Sequence, residues 1–462
     1  MEVVTNSPAI QKARKLTLEL ILSTHDKKCL SCVRSENCEL QKLCKDYGVD
    51  DVNYYEGVND PVDIDDSAPH MYRDNNKCIL CRRCVAACSV QQSVSVIGPI
   101  ERGFKTHIGS PFDVGLNETS CVSCGQCIVA CPTGALSEKD DTDKVWAALN
   151  DPTKHVIVNT APSIRVTLGE AFGMPVGSNV KGKMVAALRR LGFAKVFDTD
   201  FSADLTIMEE ATEFLHRVQN GGTLPLITSC SPGWVKFCEY NYPEMIDNLS
   251  SCKSPQQMFG AVIKTYYAEK NNLDPKDIVV VSIMPCTAKK FEIGRDHQDA
   301  AGVPDVDIAL TTRELSRMIK RAGIIFEQLP DEEFDNPLGE STGAGAIFGA
   351  TGGVMEAALR TAVEKLTGEE LKNLDFTEVR GTAGIKEATY NVAGMDINVA
   401  VASGLANARE LLEKVKSGEK NYHFIEIMAC PGGCVNGGGQ PTQPASVRNF
   451  VDLRAELSLI HI

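Results

Sequence analysis

The run Cys78-x2-Cys81-x2-Cys84-x3-Cys88 recurs as Cys121-x2-Cys124-x2-Cys127-x3-Cys131-Pro132, and no other feature constrains this chain as tightly. Three thiolates at that spacing wrap three irons of one cubane, while the fourth cysteine reaches across to the other cluster. Cys78, Cys81, Cys84 and Cys131 are therefore expected to hold one 4Fe–4S cluster, and Cys121, Cys124, Cys127 and Cys88 a second. The first run continues with Ser89 where the second has Pro132. Zinc is the competing reading, but its spacing usually sets two C-x2-C pairs apart by a longer loop.

Upstream lies a different constellation, His25-x3-Cys29-x2-Cys32-x5-Cys38. One imidazole and three thiolates complete a four-coordinate set for zinc or for iron–sulfur. Beside two ferredoxin-like runs, iron–sulfur is the expectation; otherwise His25 is an ordinary surface histidine at a helix end. Cys44 falls outside the spacing and reads as a buried apolar thiol.

Twelve of the 18 cysteines precede position 132; the others stand at 230, 238, 252, 286, 430 and 434. No apolar run is long enough to span a bilayer, and the N-terminus lacks the layout of a secretory signal. A cytoplasmic location is expected, where structural disulfides are rare and metal ligation is the first reading. The net charge of −14 argues against nucleic-acid and anionic-membrane partners. The charge is uneven: residues 1–48 hold eight Lys/Arg against six Asp/Glu, and residues 49–67 hold seven acids and no base.

These shifts divide the chain into three expected domains. Residues 1–66 read as a small helical module, with helical periodicity from Lys12 to Leu22, followed by an acidic linker over Val49–Ser67. Residues 67–142 form the two-cluster domain. Residues 143–462 read as α/β, with short apolar runs between longer helical stretches. Candidate strands are His155–Asn159, Leu224–Thr228, Ile278–Ile283, Asp307–Leu310 and His423–Ile427. Three of them lead to Cys230, Cys286 and Cys430. Ligands bind beyond the carboxyl ends of parallel strands, so one shared site is expected there. Cys238 reads as core. Gly343 to Gly349 imitates a dinucleotide loop, but its third glycine is one position late and no strand precedes it; it reads as a glycine-rich lead into a helix.

The three later cysteine segments are Thr228-Ser229-Cys230-Ser231-Pro232-Gly233-Trp234, Met284-Pro285-Cys286 with Lys289 and Glu292, and Glu426-x-Met428-x-Cys430 with Cys434 and Gly437-Gly438-Gly439. They resemble the signature motifs of FeFe hydrogenases, which run TSCCPxW, MPCxxKxxE and ExMxCxxGCxxGG. The histidine-plus-cysteines and two-cluster motifs precede them in the family's order, so the resemblance covers nearly the whole chain.

The resemblance implies a two-lobed α/β domain with parallel sheets flanked by helices, preceded by a ferredoxin-like domain and a small helical cluster module. It implies an H-cluster, a 4Fe–4S cubane sharing one cysteine with a two-iron unit that carries carbonyl, cyanide and a dithiolate bridge. Cys286, Cys430 and Cys434 match cubane ligands, with Cys434 bridging. The first motif departs: the family has two adjacent cysteines, the first relaying protons and the second ligating iron, whereas here Cys230 precedes Ser231. Cys230 moves in as ligand, or Ser231 ligates through oxygen, or the cubane is incomplete and activity is lost. Thiolate is the better iron–sulfur ligand, which favours Cys230. Cys252 is then a substitute relay thiol or a small core residue.

Glu210, Glu213 and Arg217 match relay residues and fall on one helix face, although such spacing by itself usually marks a solvated surface. Ser250 matches the relay serine. Lys289 matches a residue that hydrogen-bonds an iron-bound cyanide, and Ser163, Gln256, Met284 and Met428 match pocket positions. The implied activity is reversible reduction of protons to hydrogen, with ferredoxin as electron carrier docking on the basic first 48 residues, accessory clusters as the electron wire, and maturation proteins supplying the two-iron unit. A hydrogen sensor and a non-catalytic iron–sulfur protein of the assembly-factor type are the alternatives. Against longer family members, the chain begins after their N-terminal 2Fe–2S domain, and its C-terminus stops short of their tail.

Overall fold

The computed structural model describes residues 3–50, 61–368, 376–392, 394–444 and 447–459. Most of the acidic linker expected between 49 and 67 lies outside the described residues, as do the last three residues. The chain divides into two compact units, one drawn from 1–90, 95–121 and 126–139, the other from 91–94, 122–125 and 140–462.

The first unit opens with the expected helix, Pro8–Ser23. Ser7 caps it by accepting from the Ile10 amide, and Pro8 fits the first turn, where no N–H is needed. A second helix, Glu39–Tyr47, ends at Gly48, whose positive φ (58°) suits glycine. Leu18, Leu40 and Val49 form a small core against which Cys44 packs. Two antiparallel ribbons complete the unit: β1 (Met71–Arg73) with β4 (Leu136–Glu138), and β2 (Gly98–Ile100) with β3 (His107–Gly109).

The second unit contains two four-stranded sheets. One runs in the order β6-β5-β8-β9, all parallel: β5 is His155–Thr160, β6 Lys195–Asp198, β8 Ile278–Met284 and β9 Ile308–Thr311. The other runs β10-β11-β12-β7, with β7 Leu226–Ile227, β10 Ile385–Val392, β11 Met395–Ser403 and β12 Phe424–Met428. Its β11, β12 and β7 are parallel, and β10 joins β11 antiparallel. Apolar faces on both sides explain the run-like sequences of β5, β8 and β12: Ile157, Val158, Val280, Val281, Ile425 and Ile427 are fully buried. Helix Lys181–Leu191 packs on the first sheet through Met184, Val185 and Leu188, and helix Gly353–Thr367 on the second through Val354, Met355 and Leu359.

All five candidate strands form, with ends that differ from the expected ones by one or two residues. Strand β6 and the β10–β11 hairpin are additional. The Gly343 region corrects its expectation: residues 345–349 make a separate 3-10 turn, and the helix starts only at Gly353. No helix among the described residues is long and apolar enough to cross a membrane.

Candidate active site

In the first unit, Cys78, Cys81, Cys84 and Cys131 line one cavity, although Cys131 lies far along the chain from the other three. Burial pushes the Cys78 thiol up to about 11 and Cys84 up to about 12, with the facing thiols adding to the shift. Neutral thiols so placed become thiolates only when a cation compensates them. Cys127 is likewise raised well above its ordinary value by burial, then by the nearby Cys121 and Cys88. Cys124 falls in the second unit. His25, Cys29, Cys32 and Cys38 border another cavity. Burial lowers the His25 pKa, which keeps the imidazole neutral, and its Nδ1 is buried without a hydrogen-bond partner. Cys44 corrects its expectation in part, since it is half-buried and borders this same cavity. Among the described residues no three His, Cys, Asp or Glu side chains close on a single-ion site. The thiols surround volumes instead, which is what a cubane requires.

Another convergence is in the second unit. A cavity with about 750 Å³ of space free of protein atoms, its open mouth included, is lined by Cys230, Ser231, Cys286, Cys430 and Cys434. Its walls come from both sheets. Cys286 follows β8 by two residues, Cys430 follows β12 by two, and Cys230 follows β7 by three, while Ser163 lies just past β5. Met284 and Met428, nearly fully buried, also line the space, as do Gln256 and Lys289. Cys238 is instead fully buried in the core.

The polar groups are held in place. The Lys289 ammonium donates to Glu292 at 2.9 and 3.1 Å and to the Cys230 carbonyl at 3.1 Å. Glu292 also accepts from Ser254 and Gln256, each at 2.9 Å. This leaves Gln256 Oε1 buried at the cavity without a partner. Ser163 accepts from Gln440 Nε2 at 3.2 Å, and Gln440 also donates to the Cys434 carbonyl and accepts from Thr167 and Thr312. A cavity lined by several thiols and a fixed cation fits an anionic iron–sulfur group, while the Gln256 amide oxygen, an acceptor, is left for an N–H or O–H donor.

A line of polar groups runs along helix Thr199–Asn220. Glu210 is buried, and its Oε2 has no hydrogen-bond partner. Burial pushes its carboxyl up to about 7; hydrogen bonding to Ser250 and to the Ser229 amide opposes that shift. Ser250 donates to Glu213 at 3.3 Å, and Glu213 pairs with Arg217 at 2.6 Å. Arg217 is anchored on the Leu249 and Thr223 carbonyls. Ser251, which is exposed, donates to Glu213 through both its amide and its hydroxyl at 3.0 Å. The Cys252 sulfur stands 3.9 Å from the same carboxylate. The matched relay residues are thus together. Ser251 and Gln440 escaped sequence reasoning, although Gln440 directly follows the glycine run of the third motif and was the one available signal.

Comparison with known proteins adds three matches. Residues 154–438 match the family "Iron only hydrogenase large subunit, C-terminal domain". Residues 14–53 match the "NADH-ubiquinone oxidoreductase-G iron-sulfur binding region", and 62–135 the "4Fe-4S dicluster domain". The chain is 52% identical to the NADP-reducing hydrogenase subunit HndD of Solidesulfovibrio fructosivorans, over 96% of this chain and 76% of that protein. It is 48% identical to iron hydrogenase 1 of Clostridium pasteurianum, over 96% and 77%. Among solved structures, a variant of the apo FeFe-hydrogenase HydA1 of Chlamydomonas reinhardtii superposes with a TM-score of 0.62 at 43% identity, covering 69% of this chain and 88% of that one.

Proposed function

Because the chain belongs to the FeFe hydrogenase family, whose cofactors are 4Fe–4S clusters and the H-cluster, we propose that it interconverts protons and hydrogen with ferredoxin as its electron carrier. The observation that carries this reading is the meeting of Cys230, Cys286, Cys430, Cys434 and Lys289 in one cavity. In this reading Cys286, Cys430 and Cys434 hold the cubane with Cys230 or Ser231 as its fourth ligand, and the two-iron unit occupies the space beside Lys289, Gln256, Ser163, Met284 and Met428. When bound, the H-cluster supplies the electrons and the iron at which protons and hydrogen interconvert. The chain's residues do the rest. Lys289, fixed by Glu292, offers a cation to an anionic ligand. Cys230 and Glu210 move protons at the inner end, and Ser250, Glu213 and Arg217 carry the path outward.

Cys78, Cys81, Cys84 and Cys131, then Cys121, Cys124, Cys127 and Cys88, then His25, Cys29, Cys32 and Cys38 hold three accessory clusters in this proposal. The first two belong to the proposed domain 67–142 and the third to 1–66, while 143–462 holds the H-cluster. Ferredoxin is the carrier of choice because acidic proteins steer to a basic surplus such as that of residues 1–48. The chain works in the cytoplasm and receives its two-iron unit from maturation proteins.

The test is anaerobic reconstitution with iron, sulfide and a synthetic two-iron precursor, followed by infrared spectroscopy and hydrogen assays. Cyanide and carbonyl bands with hydrogen evolution from reduced ferredoxin are expected. Bands without turnover would place the chain with hydrogen sensors, and no bands beside intact accessory clusters would make it a non-catalytic iron–sulfur protein. Turnover only with a partner subunit and NADPH would replace ferredoxin as carrier.

A further inference from the structure

We propose that Ser231, through its side-chain oxygen, is the fourth protein ligand of the cubane, and that Cys230 keeps its thiol for proton transfer. The inference rests on the hydrogenase reading above. The two residues are neighbours between β7 and helix Pro232–Asn241, and Ser231 is extended (φ −99°, ψ 100°). Both residues line the cavity, but consecutive side chains on extended backbone point to different sides, so the two present their heteroatoms to different parts of it and one is the better placed for the cubane.

The surroundings decide which. The Ser231 hydroxyl accepts from the Ala429 amide at 3.2 Å, which sets it beside the residue preceding Cys430. Because it accepts in that bond, its own O–H remains to be spent elsewhere. Cys230 packs, as Cys434 does, against the apolar cluster that includes Ala203, Ile207 and Phe214, all on the helix that carries Glu210, which sets its thiol on the side of that proton-carrying helix. Its carbonyl is tied to Lys289 at 3.1 Å, which fixes the orientation of the loop. The donor set is then the thiolates of Cys286, Cys430 and Cys434 with one oxygen. Ligation breaks the Ser231 O–H bond, forms an O–Fe bond and releases the proton to water, with no change of iron oxidation state. Sulfur is the softer and more usual partner for such iron, so this site differs measurably from an all-thiolate one.

The full chain is reconstituted anaerobically with iron and sulfide alone, then titrated by electron paramagnetic resonance with its iron counted. Ser231→Cys is expected to raise the midpoint potential of one cluster, because thiolate favours reduced iron more than alkoxide does. Ser231→Ala is expected to lower the iron content by one per chain, and Cys230→Ala to leave iron content and every cluster signal unchanged. Loss of iron or a shifted signal in Cys230→Ala overturns the proposal, as do Ser231 variants that leave all midpoints in place. Adding the two-iron precursor to the wild-type chain separates the two failures. Infrared bands with silent Ser231 variants sink the ligand assignment alone, whereas missing bands sink the hydrogenase reading.

Discussion

A carboxyl group poised near 7 exchanges protons most readily at neutral pH, and Glu210 is such a group. Glu210→Gln keeps the shape and removes the titration. Hydrogen turnover is expected to fall by on the order of 10²–10⁴, with the infrared bands of the loaded cavity unchanged. The same burial has a stability signature. The unfolded carboxyl ionises near ~4.3, whereas the folded one holds its proton to about 7. The stabilisation is thus complete below the unfolded value and is lost as pH rises through the folded one. At pH 8 the variant should be more stable than the wild type by up to about 3 kcal/mol relative to their difference at pH 4; thermal unfolding at the two pH values measures this. The cysteine runs were legible because their repeated spacing is local, although only the fold brings Cys131 to Cys78, Cys81 and Cys84. Ser251 and Gln440 were not, since a serine beside a serine, or a glutamine after glycines, gains its meaning only from partners brought in by the fold, such as Glu213 and Ser163.

Helix Gly353–Thr367 is tied to β12 by one side chain. Glu426 accepts from the Gly352 and Met355 amides, each at 2.7 Å, at the helix N-terminus. An acid there satisfies donors that the helix itself cannot. Glu426→Ala leaves both amides buried and unpaired, and a loss of about 2–4 kcal/mol is expected by thermal unfolding; Glu426→Gln should recover part of it. The glycine run presses equally closely. A Cβ on Gly438 would stand 2.3 Å from the Cys124 carbonyl oxygen. Gly438→Ala must therefore displace the backbone of residues 124–125, and a lowered melting temperature is expected, worth about 1–3 kcal/mol. The buried parallel strands were readable as apolar runs, but β10 was not. Its sequence Ile385–Val392 mixes charged, polar and apolar residues, as an edge strand open to solvent can.

Charge belongs to the whole chain. A net charge of −14 opposes acidic partners in general, so a carrier must find the local basic surplus of residues 1–48. Hydrogen evolution from reduced ferredoxin should slow as ionic strength rises from about 0.01 to 0.5 M, while evolution driven by a small uncharged reductant stays level. An identical salt response for both would remove the docking idea. The α/β class was legible from alternating strand and helix patterns, whereas the splitting of the strands between two sheets was not, because strand order is set by long-range pairing. That distance also governs timing. Ser163 and Gln440, whose side chains bond across the cavity wall, are 277 positions apart, and a ribosome adds only about 5–20 residues per second. A nascent chain therefore exposes Ser163 at least ~14 seconds before Gln440 exists. The pocket has no far wall during that interval, so its metal cargo must be delivered after translation has passed Gln440.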